Sequence, residues 1–264
     1  MPEDPDTTTR RLRREPPPFR PATVRRVEAV TPRLVRVVLD GDGLEGLVPP
    51  EPAASVRLLL PRPGERELTL PRWDGNEFLL PDGSRPSIRT LTPLRPAPGD
   101  GALAVEVVLH GGGTLSTWAT AARPGDPVAV SGPGRGYAVD PDATDHLLAG
   151  DETALPAIRQ LLDHLPPDRP VRVLVEVAAP AARLPLGDRD GLEVVWLDLP
   201  PGAPPGGALV GAVAGAPIGP GTQVWVAGEA AAVQRIRRAL FVERGVPRSR
   251  ATVRGYWKHG RAGT

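Results

Sequence analysis

Glycine and proline interrupt this chain too often for any long element to form: 30 and 35 of them stand among 264 residues. Proline lacks the N–H that helices and sheet ladders need, and glycine brings no side chain to pack. Short strands and helices joined by many turns must result, not a helical bundle. What lies between the interruptions divides the chain into two textures.

Up to about residue 140 the uninterrupted runs are short and rich in β-branched residues. Ala22–Val30 and Leu34–Asp40 flank Thr31-Pro32 and read as an antiparallel pair. Ser55–Leu60, Glu67–Leu70, Glu77–Leu80, Ile88–Leu94 and Ala102–His110 read as further strands, one helix is expected over Leu115–Ala122, and Pro127–Ser131 is another strand. Strands at this spacing predict a small antiparallel barrel. Beyond residue 140 strands and helices alternate. His146–Ala149, Val171–Val177, Glu193–Leu197 and Thr222–Ala227 look like buried strands, and Thr153–His164 and Ala230–Arg244 carry helical periodicity. That alternation predicts a parallel sheet. Pro200–Pro220 reads as a surface connection. The expected organisation is a disordered tail over 1–18, a barrel over 19–140 and an α/β domain over 141–264.

Composition narrows the chemistry. With no cysteine there are no disulfides, Cys-held iron–sulfur clusters, thiolate zinc sites or Cys nucleophiles. The 32 basic side chains against 31 acidic ones give no reason to expect nucleic acid. No apolar run approaches the roughly 18 residues of a membrane helix. Arg10, Arg11, Arg13 and Arg14 are followed by no hydrophobic stretch, so neither a secretory nor a twin-arginine signal is read and a cytoplasmic protein without membrane insertion is expected, taken as a monomer. The four histidines form no two-His metal motif, and no G-x-S-x-G elbow occurs. No catalytic side chain and no resident metal are therefore assigned.

Five segments could bind ligands. In Arg89-Thr90-Leu91-Thr92, a guanidinium suits a phosphate and the hydroxyls suit a ribityl chain or ring edge. An edge strand with its arginine in water explains those residues alone at least as well. His110-Gly111-Gly112-Gly113-Thr114-Leu115-Ser116 runs from a strand through glycines into a helix start, where free amides can meet a pyrophosphate. A capped Gly-rich hairpin is an equal reading. Trp118 falls on the core side of that helix. Gly150-Asp151-Glu152-Thr153-Ala154 and Gly228-Glu229 are strand–Gly–helix corners at one sheet edge. Asp151 and Glu152 equally suit a simple complement to the helix dipole. The terminal Arg254-Gly255-Tyr256-Trp257-Lys258-His259-Gly260-Arg261 holds the only lysine and no acid. It is either a solvated end or a patch for an anion.

In this order the segments resemble the siderophore-interacting protein family, FAD-binding ferric-siderophore reductases related in fold to ferredoxin–NADP⁺ reductases. Gly150-Asp151-Glu152-Thr153-Ala154-Leu155-Pro156-Ala157, Ala227-Gly228-Glu229 and Gly255-Tyr256-Trp257 carry the likeness most specifically. The resemblance implies an antiparallel six-stranded FAD-binding barrel followed by a Rossmann-like NAD(P)H-binding domain. It implies cofactor contacts at Arg89, Thr90, Leu91, Thr92, His110, Gly113, Thr114, Leu115, Ser116, Gly150, Asp151, Glu152, Thr153, Ala154, Gly228, Glu229 and Trp257, with Arg89 near the flavin phosphates and Thr92 near the ring edge. Lys258 and Arg261 would meet a ferric siderophore. Leu91 stands where the family has tyrosine, Thr114 where it has proline, and Arg95 one residue late. The implied activity passes electrons from NAD(P)H through FAD to Fe(III), releasing iron as Fe(II). A reductase serving another acceptor or partner protein, and a non-catalytic ferric-chelate binder with a degenerate flavin site, are the alternatives.

Overall fold

The structure, a computed structural model, describes residues 15–95, 101–110 and 112–260. Strand β1 (Arg20–Thr31) reverses at Pro32 into β2 (Leu34–Asp40), where the Arg33 N–H donates to Thr31 Oγ1 at 3.1 Å. Then come β3 (Val56–Leu60), a small ribbon of β4 (Arg72–Trp73) and β5 (Phe78–Leu79), β6 (Ser87–Leu91), β7 (Leu103–Val108), helix α1 (Thr114–Ala121) and β8 (Pro127–Ser131). The main sheet runs β6-β3-β8-β1-β2-β7, antiparallel throughout. Its two edges meet just past β6. Leu94 and Ala104 exchange both backbone bonds, at 2.7 and 2.8 Å, and close the sheet into a barrel.

The barrel is filled by Val24, Val37, Leu39, Leu58, Leu103, Val105, Val128 and Val130, with Leu115 and Trp118 of α1 packed against them. Each such side chain contributes about 1.5–3 kcal/mol over exposure, which lets an aliphatic core replace scarce aromatics. The strand expected over Glu67–Leu70 does not form. A four-residue run without a neighbouring edge has no ladder to join.

The second half holds β9 (Asp145–Asp151), α2 (Leu155–His164), β10 (Val171–Val177), β11 (Leu192–Asp198), α3 (Gly207–Gly215), β12 (Thr222–Glu229), α4 (Ala230–Arg238) and β13 (Ala251–Trp257). Its sheet runs β11-β10-β9-β12-β13, all parallel. Alternation decides the layers: Leu148 faces α2 with Leu155, Ile158 and Leu161. Leu147 and Ala149 face α3 and α4 with Leu209, Val213, Val233 and Ile236. Among the described residues no helix is long and apolar enough to cross a membrane.

Two stretches differ from expectation. The supposed connection Pro200–Pro220 contains α3, whose Leu209 and Val213 are buried. Its glycines weaken helix propensity, so packing supplies what the local sequence withholds. The basic terminus is an ordered fifth strand, β13, not a solvated tail. The helix expected over Ala230–Arg244 is α4 followed by a wider π-type turn, with the Arg244 N–H bonding Ala239 O at 3.0 Å.

The two sheets are tied together by polar contacts around α2. Ala53, a non-glycine residue at φ 53°, donates its N–H to Gln160 Oε1 at 3.0 Å, and Gln160 Nε2 donates to Pro93 O at 2.7 Å. Glu106 on β7 is fully buried between Arg36 of β2 (2.8 Å) and Arg159 of α2. Glu152 accepts Arg33 Nε at 3.0 Å and the Ala178 N–H at 2.7 Å. A left-handed residue and a buried carboxylate are tolerated only when their surroundings hold them, as these do.

Candidate functional site

The barrel's contribution begins at the end of β6. Arg89 is half-buried and donates to Ile88 O at 2.8 Å. Among the described residues no carboxylate pairs with it, and burial pulls its pKa below the ordinary value. A partly desolvated guanidinium without a counter-charge is an anion-seeking group. Thr90 is exposed beside it. Leu91 packs toward the barrel core near Leu115 and Trp118. Thr92 is buried and hydrogen-bonded to the Tyr256 hydroxyl from β13, whose phenol is pushed up to about 12 by burial.

The glycine turn before α1 supplies the second element. The His110 N–H donates to the buried Ser116 hydroxyl at 3.2 Å, which closes the turn on itself. Gly113 sits at φ 78°, where a side chain would be strained and would press on the His110 ring. Gly112 faces open space, and Gly111 lies outside the described residues. α1 starts at Thr114 with no side-chain cap and no acid in its first turn. Its first N–H groups therefore keep their positive end available. Leu115 is half-buried and apolar, so only its backbone can serve a polar ligand.

The carboxyl edge of the parallel sheet is organised differently. Asp151 Oδ1 accepts the Thr153 N–H (2.9 Å) and hydroxyl (2.5 Å). Its Oδ2 accepts the Glu229 N–H (2.9 Å) and Trp257 Nε1 (2.7 Å). Burial pushes the Asp151 pKa up, and those bonds pull against it. Gly150 and Gly228 let strands and carboxylate close up. A Cβ on Gly150 would stand 2.7 Å from Ala227 O, and one on Gly228 2.7 Å from Asp151 Oδ2. Ala154 is buried directly behind Gly150. Glu229 caps α4 through the Ala232 N–H at 2.9 Å and accepts the His259 N–H at 3.1 Å. For Glu229, burial pushes upward but the backbone bonds outweigh it, leaving the carboxyl below its usual range.

The two halves meet where His110 lies parallel to Trp257, centroids 6.5 Å apart and planes at 17°. Lys258 follows, exposed, between Trp257 and His259. The structure thus gathers Thr92, His110, Asp151, Glu229 and Trp257 about one junction. On the barrel side the glycine turn reaches it through His110, Arg89 stands three residues before Thr92 in the chain, and Arg261 lies outside the described residues. Sequence reasoning missed Tyr256, Arg33, Gln160 and Glu106 as junction residues. A carboxylate within Val105-Glu106-Val107 was a usable signal, since a charge in a buried strand needs a partner. Arg33 gives none.

A closed antiparallel barrel joined to a five-stranded parallel sheet, with its polar junction between them, is the two-domain fold of ferredoxin-reductase-like flavoproteins. A ferredoxin–NADP⁺ reductase from Neisseria gonorrhoeae shares that fold at 14% identity (TM-score 0.63, 90% of this chain and 99% of that one). The chain belongs to the siderophore-interacting protein family. The siderophore-interacting FAD-binding domain model matches residues 23–137, and the siderophore-interacting protein model matches 143–260. A siderophore utilization protein from T. fusca is 35% identical (TM-score 0.82, 96% of this chain and 97% of that one). The NADPH-dependent ferric-chelate reductase of Escherichia coli is 30% identical over 242 residues, covering 90% of this chain and 92% of that protein. The ferric vibriobactin reductase of Vibrio cholerae is 28% identical over 89% of this chain and 88% of its own.

Proposed function

We propose that this protein is an FAD-dependent reductase that draws electrons from NAD(P)H and delivers them to the Fe(III) of a siderophore, freeing iron as Fe(II). One observation carries the reading. The barrel offers a half-buried Arg89 with no carboxylate partner among the described residues and an uncapped, acid-free α1 start with open space at Gly112, and its Thr92 and His110 meet the other domain's Tyr256 and Trp257. These groups suit a dinucleotide of FAD type. FAD, when bound, supplies the conversion of a two-electron hydride donor into single electrons that ferric iron accepts.

The protein's part is binding and orientation. Arg89 would neutralise phosphate charge, and the α1 amides with the Thr114 hydroxyl would receive phosphate oxygens. Thr90 and Thr92 would offer hydroxyls to the ribityl chain and ring edge. Tyr256, held in its neutral form, fixes the Thr92 hydroxyl. Trp257, anchored through Nε1 to Asp151, presents a flat apolar plate beside His110. Lys258, exposed at the rim, would attract an anionic ferric chelate. No side chain need carry a proton at the iron, so the binding residues are the functional ones.

The test is anaerobic. Purified protein supplied with FAD should show an oxidised-flavin spectrum that NADPH bleaches and a ferric siderophore restores. Protein that is well folded, saturated with FAD and not bleached by NADPH would reject the reading. Leu91, turned toward the barrel core, brings no aromatic face to the flavin, so loose flavin binding is expected and free FAD should be supplied throughout.

A further inference from the structure

The parallel sheet reverses its winding at β9: β10 and β11 lie on one side, β12 and β13 on the other. In such sheets the crevice beyond the carboxyl ends of the two central strands is the usual dinucleotide seat, with the pyrophosphate on a helix start. Here those strands, β9 and β12, end in Asp151 and Glu229. Both carboxylates are buried and turned inward. Asp151 fills the start of the turn leading into α2, and it also binds the Glu229 N–H. Glu229 fills the start of α4 through the Ala232 N–H. The third helix start at this edge is filled as well. Glu176, buried at β10, accepts the N–H groups of Gly206 (2.5 Å) and Leu209 (3.0 Å) at the head of α3. The turn leading into α2 and the heads of α3 and α4 thus each hold one of the chain's own carboxylates, while the short turn Pro180–Ala182 after β10 and α1 in the barrel hold none.

A helix start carries roughly half a positive charge. A full carboxylate placed on it leaves a net negative end, and an arriving pyrophosphate would meet like charge in a poorly solvated place. The C-terminal segment adds a steric seal. Trp257 Nε1 binds Asp151 and the His259 N–H binds Glu229, so residues 257–259 are tied across both strand ends.

We propose that the second domain takes NAD(P)H without a helix-start phosphate subsite. Asp151 and Glu229 exclude the pyrophosphate from the switch point, and Glu176 keeps it from the neighbouring head of α3, leaving it at the solvent rim while the nucleoside ends supply the contacts. Asp151 and Glu229 are then specificity-determining residues that weaken the hold on the dinucleotide. This deepens the reductase reading and rests on it for the identity of the dinucleotide.

The experiment uses FAD-loaded full-length protein, so that α1 is already occupied. Inorganic pyrophosphate and NADPH are titrated by calorimetry, with NADPH binding followed independently by tryptophan fluorescence. In the native protein, pyrophosphate should not compete with NADPH. In Glu229→Gln, pyrophosphate should become a competitor, and NADPH should bind about three- to tenfold tighter. Pyrophosphate that displaces NADPH from the native protein overturns the proposal. So does a folded Glu229→Gln, verified by circular dichroism, whose affinities are unchanged or weaker. If Glu229→Gln does not fold, the native competition experiment decides alone. None of these outcomes depends on iron reduction. Failure of the flavin to bleach with NADPH bound would sink the reductase reading and leave this one standing.

Discussion

At the scale of single residues, function and stability rest on charges that burial has made expensive to leave alone. Arg89 has no carboxylate partner among the described residues, and burial alone depresses its pKa. Its partner is expected to be the flavin's phosphate. Arg89→Leu should raise the Kd for FAD by about tenfold or more, the worth of one charge-assisted bond. Titrating apoprotein with FAD by flavin fluorescence reads this directly, and an unchanged Kd would mean the guanidinium faces something else. His146 on β9 is a different case. Only 3% exposed, it has both ring nitrogens buried without a partner. Burial lowers its pKa, while Asp145 and Asp140 push it up and Arg189 and Arg169 push it down. An unfolded histidine takes its proton near pH 6.5, and folded His146 resists it. Below about that pH the unfolded chain binds the extra proton, so stability should fall as the pH drops through it. His146→Leu should flatten that dependence between pH 7 and 5 in urea denaturation. An equal slope in both proteins would assign the pH sensitivity elsewhere.

At the scale of elements, α3 shows packing overruling propensity. Its nine residues include three glycines, and its head is fixed by Glu176, which lies thirty residues earlier on β10. Replacing Glu176 with leucine strands the amides of Gly206 and Leu209. The expected loss is about 2–4 kcal/mol, with local fraying of α3 visible as faster amide exchange over residues 207–215. α2 behaves in the opposite way. Leu155, Ile158, Leu161 and Leu162 mark its buried face, so periodicity alone located it. The barrel strands were legible for the same reason, whereas Glu67–Leu70 had a strand's composition but no neighbour to pair with. β13 was illegible because Arg254 and Gly255 interrupt its apolar run and hide a strand. Pairing with β12 makes it one.

At the scale of the whole molecule, the reaction geometry depends on how the two sheets are held. Glu106 is the central tie, its side chain fully buried between Arg36 in the barrel and Arg159 on α2. Glu106→Leu leaves two guanidiniums facing each other without their carboxylate. That should cost about 3–5 kcal/mol, and it should split a single thermal transition into two as the domains lose their coupling. Calorimetry would show one broadened or two separate peaks. A single sharp peak at the native temperature would mean that the Gln160 and Glu152 contacts suffice. The sequence alone determined the order of the two folds, the strand faces and the family likeness, because hydrophobic periodicity and strand–Gly–helix corners are written within a few residues. Only the tertiary structure decided what the acidic corners do. Asp151 meets Glu229 across 78 residues and Trp257 across 106. A carboxylate beside a helix start reads identically whether it greets a ligand or seals the place against one. Burial and partner choice separate the two, and both are properties of the folded chain.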